Sequence, residues 1–489
     1  MTDSFPGLDL KQVEFRVLPM RTRFPFKYGI ASLTALPHLV LQVEAEIDGV
    51  LAKGIASEGL PPKWFTKNPD TTFEEDLPAM LEVIGRAAEL ALSVPPSSFF
   101  ELWLKMHDAQ SAWASETGHP PLLANLGVSL IERALIDALC RHLGSTLHTI
   151  LRENQLGLRL DEIRPELSGA EPSACLPSRP LPSVRARHTI GLGDPLTPAD
   201  VNDGNRAEDN LPLDLESCIR AYGLTHFKVK VCGDLELDLP RLEALAELLG
   251  SKALFTLDGN EQYSSINAFR EHWEAWRENE KIRALLDTGL LLVEQPAHRD
   301  ETFASNVASE FAAWADRPAF IIDEADGAID SLPQALSLGY DGVSHKNCKG
   351  IVKGIANAAS LARERQKRER PVHLSGEDLA NVGPIALFQD LAMMAALGIG
   401  HVERNGHHYF KGLSAWPDSA QASMLENHDD LYGAHPEGYP TLIIQDGMLD
   451  LTSMNASPFG PRELLDLSSL VRIDTDDPTG FISAGLPSD

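Results

Sequence analysis

From about residue 186 the chain alternates short apolar runs with helical patterns, and this alternation limits the possible fold more than any other feature. The expected strands are Arg187–Gly191, His226–Val231, Leu254–Asp258, Leu290–Glu294, Ala319–Asp323, Gly342–Lys346, Pro371–Ser375 and Ile399–Glu403. Between them lie helical spacings at Asp238–Leu249, Ile266–Glu278, Ser331–Leu338 and Lys353–Arg368. Strand and helix in strict turn argue for a parallel sheet, because each crossover returns the chain to the same edge direction. Eight such strands would close a barrel, whose working residues sit at the C-terminal strand ends.

Five segments fall at those ends: Lys228-Val229-Lys230, Asp258-Gly259-Asn260, Glu294-Gln295-Pro296, Asp323-Glu324 and Lys346-Asn347. Strand alternation puts Lys228 and Lys230 on one face. Both faces of a parallel barrel strand are covered, so these lysines are expected in the lumen, where two ammonium groups would lower each other's pKa. Asp258, Glu294 and Asp323 end three consecutive strands about 36 and 29 residues apart. Hard oxygen ligands in that register suit Mg²⁺. For each carboxylate alone, a helix cap or salt bridge is the ordinary alternative, and an isolated Lys-Val-Lys reads as a solvated edge strand. Lys346, on the sixth strand, would face Lys230 across a substrate, while Lys349 and Lys353 read as surface lysines. Asn260 and Glu324 are expected to orient ligands or touch substrate. Glu377 and Glu403 could contact a polar or cationic group, or form a salt bridge at the barrel mouth.

The remaining chain frames this region. His38–Glu46 alternates like a strand, with Ile47-Asp48-Gly49-Val50 as a hairpin turn. Residues 73–115 suit helices broken at Pro95-Pro96, and Leu126–Leu143 is an amphipathic helix stopped by Gly144. The proline-rich, charged residues 155–187 read as an exposed insertion, and 194–214 as loop. Tyr439–Gln445 looks like a strand returning to the N-terminal sheet. The expected division is 1–125, an α+β domain; 126–405, a barrel; and 406–489, a segment returning to the first.

The five segments, in this order, resemble the enolase superfamily, and within it the mandelate racemase/muconate lactonizing enzyme family and its muconate-lactonizing-enzyme-like subgroup. The stretch Arg23-Phe24-Pro25-Phe26-Lys27-Tyr28-Gly29, followed by the His38 strand, resembles that family's capping domain. The resemblance implies an α/β fold, a modified (β/α)7β TIM-like barrel with an N-terminal α+β capping domain completed by the C-terminal segment. It implies Mg²⁺ held by Asp258, Glu294 and Asp323, and removal of a proton α to a carboxylate through an enediolate. Lys230 and Lys346 would be the acid/base pair, with Lys228 tuning them, and Arg21–Ser32 and Ser57–Trp64 would be covering loops. A racemase, epimerase or cycloisomerase acting on a small carboxylate is the leading expectation. An acid-sugar dehydratase, which in related subgroups uses a His-Asp dyad, fits less well. Strand six ends in Lys346, and His373 stands too early in strand seven. A non-catalytic metal-binding barrel would have been favoured by a missing ligand or lysine, and none is missing.

Composition speaks against a large anionic partner and leaves a small anionic substrate possible, because a bound cation and buried lysines set the local field. The chain of 489 residues carries a formal net charge of −29, so nucleic acid and anionic membrane surfaces would be repelled. No apolar run approaches the ~20 residues of a spanning helix, and the N-terminus has no signal pattern, so a cytoplasmic setting is expected. A homo-oligomer is the expectation that comes with the resemblance. The five cysteines are scattered with no CxxC pair, which speaks against a disulfide framework or a structural zinc. Cys232 and Cys348 lie near the expected site and read as small hydrophobes.

Overall fold

The computed structural model describes residues 5–204 and 206–486. Residues 1–4 and 487–489, the ends of the two outer expected regions, lie outside it, as does residue 205. Eight parallel strands close into a barrel: Ser183–Ile190, His226–Lys230, Leu254–Asp258, Leu290–Glu294, Phe320–Ile322, Gly342–His345, His373–Gly376 and His401–Arg404. We number these barrel strands one to eight. Each pairs in parallel with the next, and strand eight closes on strand one with Arg404 opposite His188. Helical segments follow strands one to seven. Strand eight leads only into a short turn, Gly406–Tyr409, which gives a (β/α)7β order.

Where local signals were strong, the expected bounds match. Ile266–Glu278 and Ser331–Leu338 are helices over those residues. Ser265 caps the first of them by accepting from the Ala268 N–H.

The N-terminal sheet is antiparallel, in the order Val471–Ile473, Leu8–Leu18, His38–Ile47, Val50–Gly59. Its hairpin turns on Asp48 and Gly49, both at positive φ (50° and 81°), which a two-residue turn of this twist requires. Helix Phe99–Thr117 packs on two others, Phe73–Ser93 and Pro121–Leu143, which pack on this sheet and on each other. The last is buried on nearly all sides, from Leu122 to Cys140, because sheet, helices and barrel all press on it. It ends at Gly144 in the left-handed conformation (φ 58°). A Cβ on Gly54 would lie 2.0 Å from the Ala134 carbonyl oxygen, so this sheet and helix approach closely only because that position is glycine.

Two expectations need correction. Residues 155–187 are not an exposed appendage: Leu156, Leu160 and Leu167 are buried, and Arg164 bonds Asn357 and Ser360 on the helix after strand six. Sparse apolar residues at 156, 158, 160, 163 and 167 suffice to dock the segment despite its prolines. Nor does Tyr439–Gln445 return to the N-terminal sheet. Pro440–Leu442 pairs with Tyr432–Ala434, Met448–Asp450 lies antiparallel to barrel strand one, and Val471–Ile473 is the segment that reaches Leu8–Leu18. Among the described residues, no helix is long and apolar enough to cross a membrane.

Candidate active site

At the C-terminal end of the barrel, Lys230 on strand two and Lys346 after strand six face one cavity from opposite sides. Asp258, Asn260, Lys228, Asp378, Glu403 and Asn405 also line it. Its roof is Phe26, Tyr28 and Leu33 from the hairpin Arg21–Ala35, with Pro61 and Trp64. The volume is about 30 Å³.

Beneath lies a buried charge network. Strand register puts Lys230 opposite Asp258 and Asp258 opposite Glu294, so side chains of like parity converge in the lumen. Lys228 Nζ sits among four carboxylates, at 2.9 Å from Asp258, 2.9 Å from Glu294, 2.8 Å from Glu377 and 3.0 Å from Glu403. Lys230 Nζ lies 2.5 Å from Asp258 Oδ2. On the far side Asp323 pairs with Lys346 through Oδ2 and with Lys349 at 2.9 Å through Oδ1, and the Ser344 hydroxyl donates to the same carboxylate. The Lys346 ammonium rests over the Trp64 ring, 4.6 Å from its centre. Asn260 donates from its backbone to Asp258 (2.8 Å) and from its side chain to Glu324 (3.3 Å).

These charges reverse one expectation. At Lys346 the Lys228 charge does lower the pKa, but the carboxylates around Lys228 and Lys346 outweigh it. Burial alone would lower Lys228 and Lys346, but Asp258 and Glu294 around the first, and Asp323 beside the second, raise both well above the usual lysine range. The carboxylates divide. Burial opposes ionisation of Asp258 and Asp323, yet their lysines keep Asp258 below its ordinary range and Asp323 far below it. Glu294 goes the other way, pushed well up by burial and by Asp258 and Glu377. Burial and Asp323 lift Glu324 to about 7.

Lys349 and Lys353 are not surface lysines. They are 2% and 3% exposed, and they pair with Asp323 and Asp326. The turn Asn347–Lys349 folds the chain back under strand six, returning Lys349 to the carboxylate that Lys346 already holds. Arg187 was also overlooked: fully buried on strand one, it pairs with Glu377 and donates to Ser375 at 3.1 Å. Glu377 and Glu403 therefore bond to cations of the barrel itself, with Glu403 also accepting from Thr189 (2.7 Å). Cys348 is buried, and Cys232 Sγ lies 3.3 Å from Asp238. His373 begins strand seven, three residues before its end, away from the mouth.

For a divalent ion the donor chemistry fits: three hard carboxylates end adjacent strands, and buried Glu294 Oε2 is paired with the Lys228 ammonium at 2.9 Å and has no other hydrogen-bond donor. Asp258 and Glu294 share the Lys228 ammonium, while Asp323 is held by Lys346 and Lys349. Among the described residues, only the ligand atoms of His188, Cys218 and His408 all lie within 4.8 Å of one another.

No family model and no curated protein matches the sequence. Solved structures do match. A muconate lactonizing enzyme from Pseudomonas fluorescens, complexed with muconolactone, superposes with a TM-score of 0.57 at 16% identity, covering 95% of this chain and 99% of that one. An enolase from Bradyrhizobium, complexed with magnesium and mandelic acid, gives 0.55 at 15% identity over 97% and 98%. A dipeptide epimerase from Enterococcus faecalis V583, complexed with Mg and L-Leu-L-Tyr, gives 0.54 at 15% identity over 90% and 99%. Over nearly its whole length, the chain shares its fold with muconate lactonizing enzymes, dipeptide epimerases and related enolases.

Proposed function

We propose that the chain is a member of the mandelate racemase/muconate lactonizing enzyme family of the enolase superfamily. Its reaction would be removal and return of a proton α to a carboxylate, as a racemase, epimerase or cycloisomerase. The observation that carries this reading is the placement of Lys230 and Lys346 on diametrically opposed strands of one cavity, above Asp258, Glu294 and Asp323. Neighbours of this fold hold magnesium with mandelic acid, magnesium with a dipeptide, or muconolactone.

A carbon acid is weak, so catalysis must stabilise the enediolate oxygens more than the ground state. A divalent ion held by Asp258, Glu294 and Asp323 would supply that stabilisation. With those carboxylates committed to an ion, Lys230 and Lys346 would share their acidic partners, Asp258 and Asp323, with it. For Lys346, which Asp323 raises, that sharing would favour the neutral amine a general base needs. One amine would take the proton from one face of the carbon, and the opposed ammonium would return it to the other. Lys228, tied to four carboxylates, stays charged and holds their geometry. Tyr28 presents a buried hydroxyl without a partner at the roof, a ready contact for a polar substrate group. A homo-oligomer in the cytoplasm is the setting that goes with this reading.

The test is incubation with a library of small carboxylates in D₂O with Mg²⁺, following α-proton exchange by mass or NMR. Lys230→Ala and Lys346→Ala should each lower exchange by about 10²–10⁴-fold, with opposite preference for substrate configuration. Exchange that survives in both variants, or that persists after complete removal of divalent ions, overturns the proposal.

A further inference from the structure

A second polar cluster lies outside the lumen. On strand one, Arg187 and Thr189 reach inward to Glu377 and Glu403, so His188 between them points outward, toward helix Leu215–Tyr222. There it meets Cys218 of that helix and His408 of the turn after strand eight. The three are 2%, 0% and 2% exposed. We propose that His188, Cys218 and His408 form a binding site for Zn²⁺ or a similar borderline transition ion, at the seam where strands eight and one close the barrel.

Three observations support this. The three ligand atoms lie within 4.8 Å of one another. Cys218 Sγ and His408 Nδ1 are 3.6 Å apart, which is the edge of a tetrahedron built with metal–sulfur and metal–nitrogen bonds of about 2.3 and 2.05 Å. A fourth residue positions the set: His407 Nε2 lies 3.2 Å from His188 Nδ1, while its own buried Nδ1 has no partner. Such a contact fixes a ligating imidazole in orientation and tautomer. Donors of N and S type select zinc-like ions over magnesium.

The surroundings agree. Phe24 of the roof hairpin packs edge-on against His408 at 5.0 Å, and Arg23 donates to the His408 carbonyl at 2.6 Å. Burial lowers both imidazoles well below the ordinary histidine range. Burial also holds the Cys218 thiol protonated, although the Arg23 charge opposes this. Metal binding must therefore break the S–H bond and release one proton to solvent as the metal–sulfur bond forms. The ion would join strand one, its helix and the end of strand eight beneath the hairpin that roofs the cavity. The ordinary alternative is a Cys–His hydrogen bond in a dry core, which has the same spacing.

Cobalt separates the two. The full-length protein, freed of metal by chelation, is titrated with Co²⁺ and followed by absorption. A sulfur ligand gives an intense near-ultraviolet thiolate-to-cobalt band, which ion held by lumen carboxylates cannot give. The expected result is a band saturating at one Co²⁺ per chain and bleached by Zn²⁺. It is lost in Cys218→Ser and unchanged in Cys232→Ser. His407→Gln should keep the band but weaken Co²⁺ affinity about 10–100-fold. No band at saturating Co²⁺ in the unaltered protein overturns the site, as does a band that survives Cys218→Ser. Should Cys218→Ser fail to fold by circular dichroism, His408→Gln replaces it: a band with unchanged affinity in that variant overturns the assignment. This outcome is independent of the exchange assay in D₂O.

Discussion

The two sides of the cavity carry the same residue and are built differently. Lys230, on the strand-two side, has Asp258 as its acidic partner. Lys346, on the strand-six side, has Asp323 beneath it and the Trp64 ring above it, and Lys349 and Ser344 brace that aspartate. The chain just beyond is fastened to the N-terminal helix Pro121–Leu143. Asn125 donates to the Lys349 carbonyl, and Glu132 accepts from the Ile351 N–H. The contrast shows how one cavity can hold a lightly constrained lysine opposite a firmly fixed one. Lys346 is positioned by three separate parts of the chain, whereas Lys230 depends on its strand and a single ion pair.

Removing the acid on each side tests that contrast most severely. Asp323→Asn leaves two buried lysines without their carboxylate and should destabilise the protein by about 3–5 kcal/mol in urea unfolding without divalent ions. Asp258→Asn should cost less, because Lys228 keeps Glu294, Glu377 and Glu403. Equal losses would show that the two sides are equally constrained. A smaller effect is expected at Glu132, whose carboxyl burial pushes up to about 7 against the Ile351 N–H that would lower it. A raised carboxyl favours folding fully below its ordinary pKa, and that contribution disappears as pH climbs through 7. Stability should therefore fall by roughly 1–3 kcal/mol between pH 5 and 8 from this group, and Glu132→Gln should flatten that slope. Trp64→Leu is the mildest test. Loss of the ring under about 1 kcal/mol of cation–π attraction should slow exchange of the configuration served by Lys346 about fivefold, and leave the other configuration unchanged.

The strand-two side was the more legible in sequence. Lys228, Lys230, Asp258 and Glu294 stand at the ends of regular strands, where a period of two decides which way each side chain points. Asp323, past a three-residue strand, was placed by its spacing alone. Beyond strand six the signal failed, because a single 3₁₀ turn reverses the chain and carries Lys349 inward, and no repeating pattern records such a turn. The same limit hid the docking of residues 156–167, where scattered leucines replace periodicity, and the return of Val471–Ile473, three mostly exposed residues too short to show a pattern. His188, Cys218 and His408 share no spacing motif at all. They meet only because the barrel closes strand eight onto strand one.

The roof has a consequence for timing. A space of about 30 Å³ admits roughly two water molecules, so any organic acid must first lift Phe26, Tyr28 and Leu33, or Trp64, and must lift them again to leave. Trp64 is also the ring against which Lys346 rests, so each such opening withdraws part of that lysine's support. Admission and readiness for proton transfer then exclude each other. Movement of the roof would then enter the pace of the cycle alongside the strength of either base.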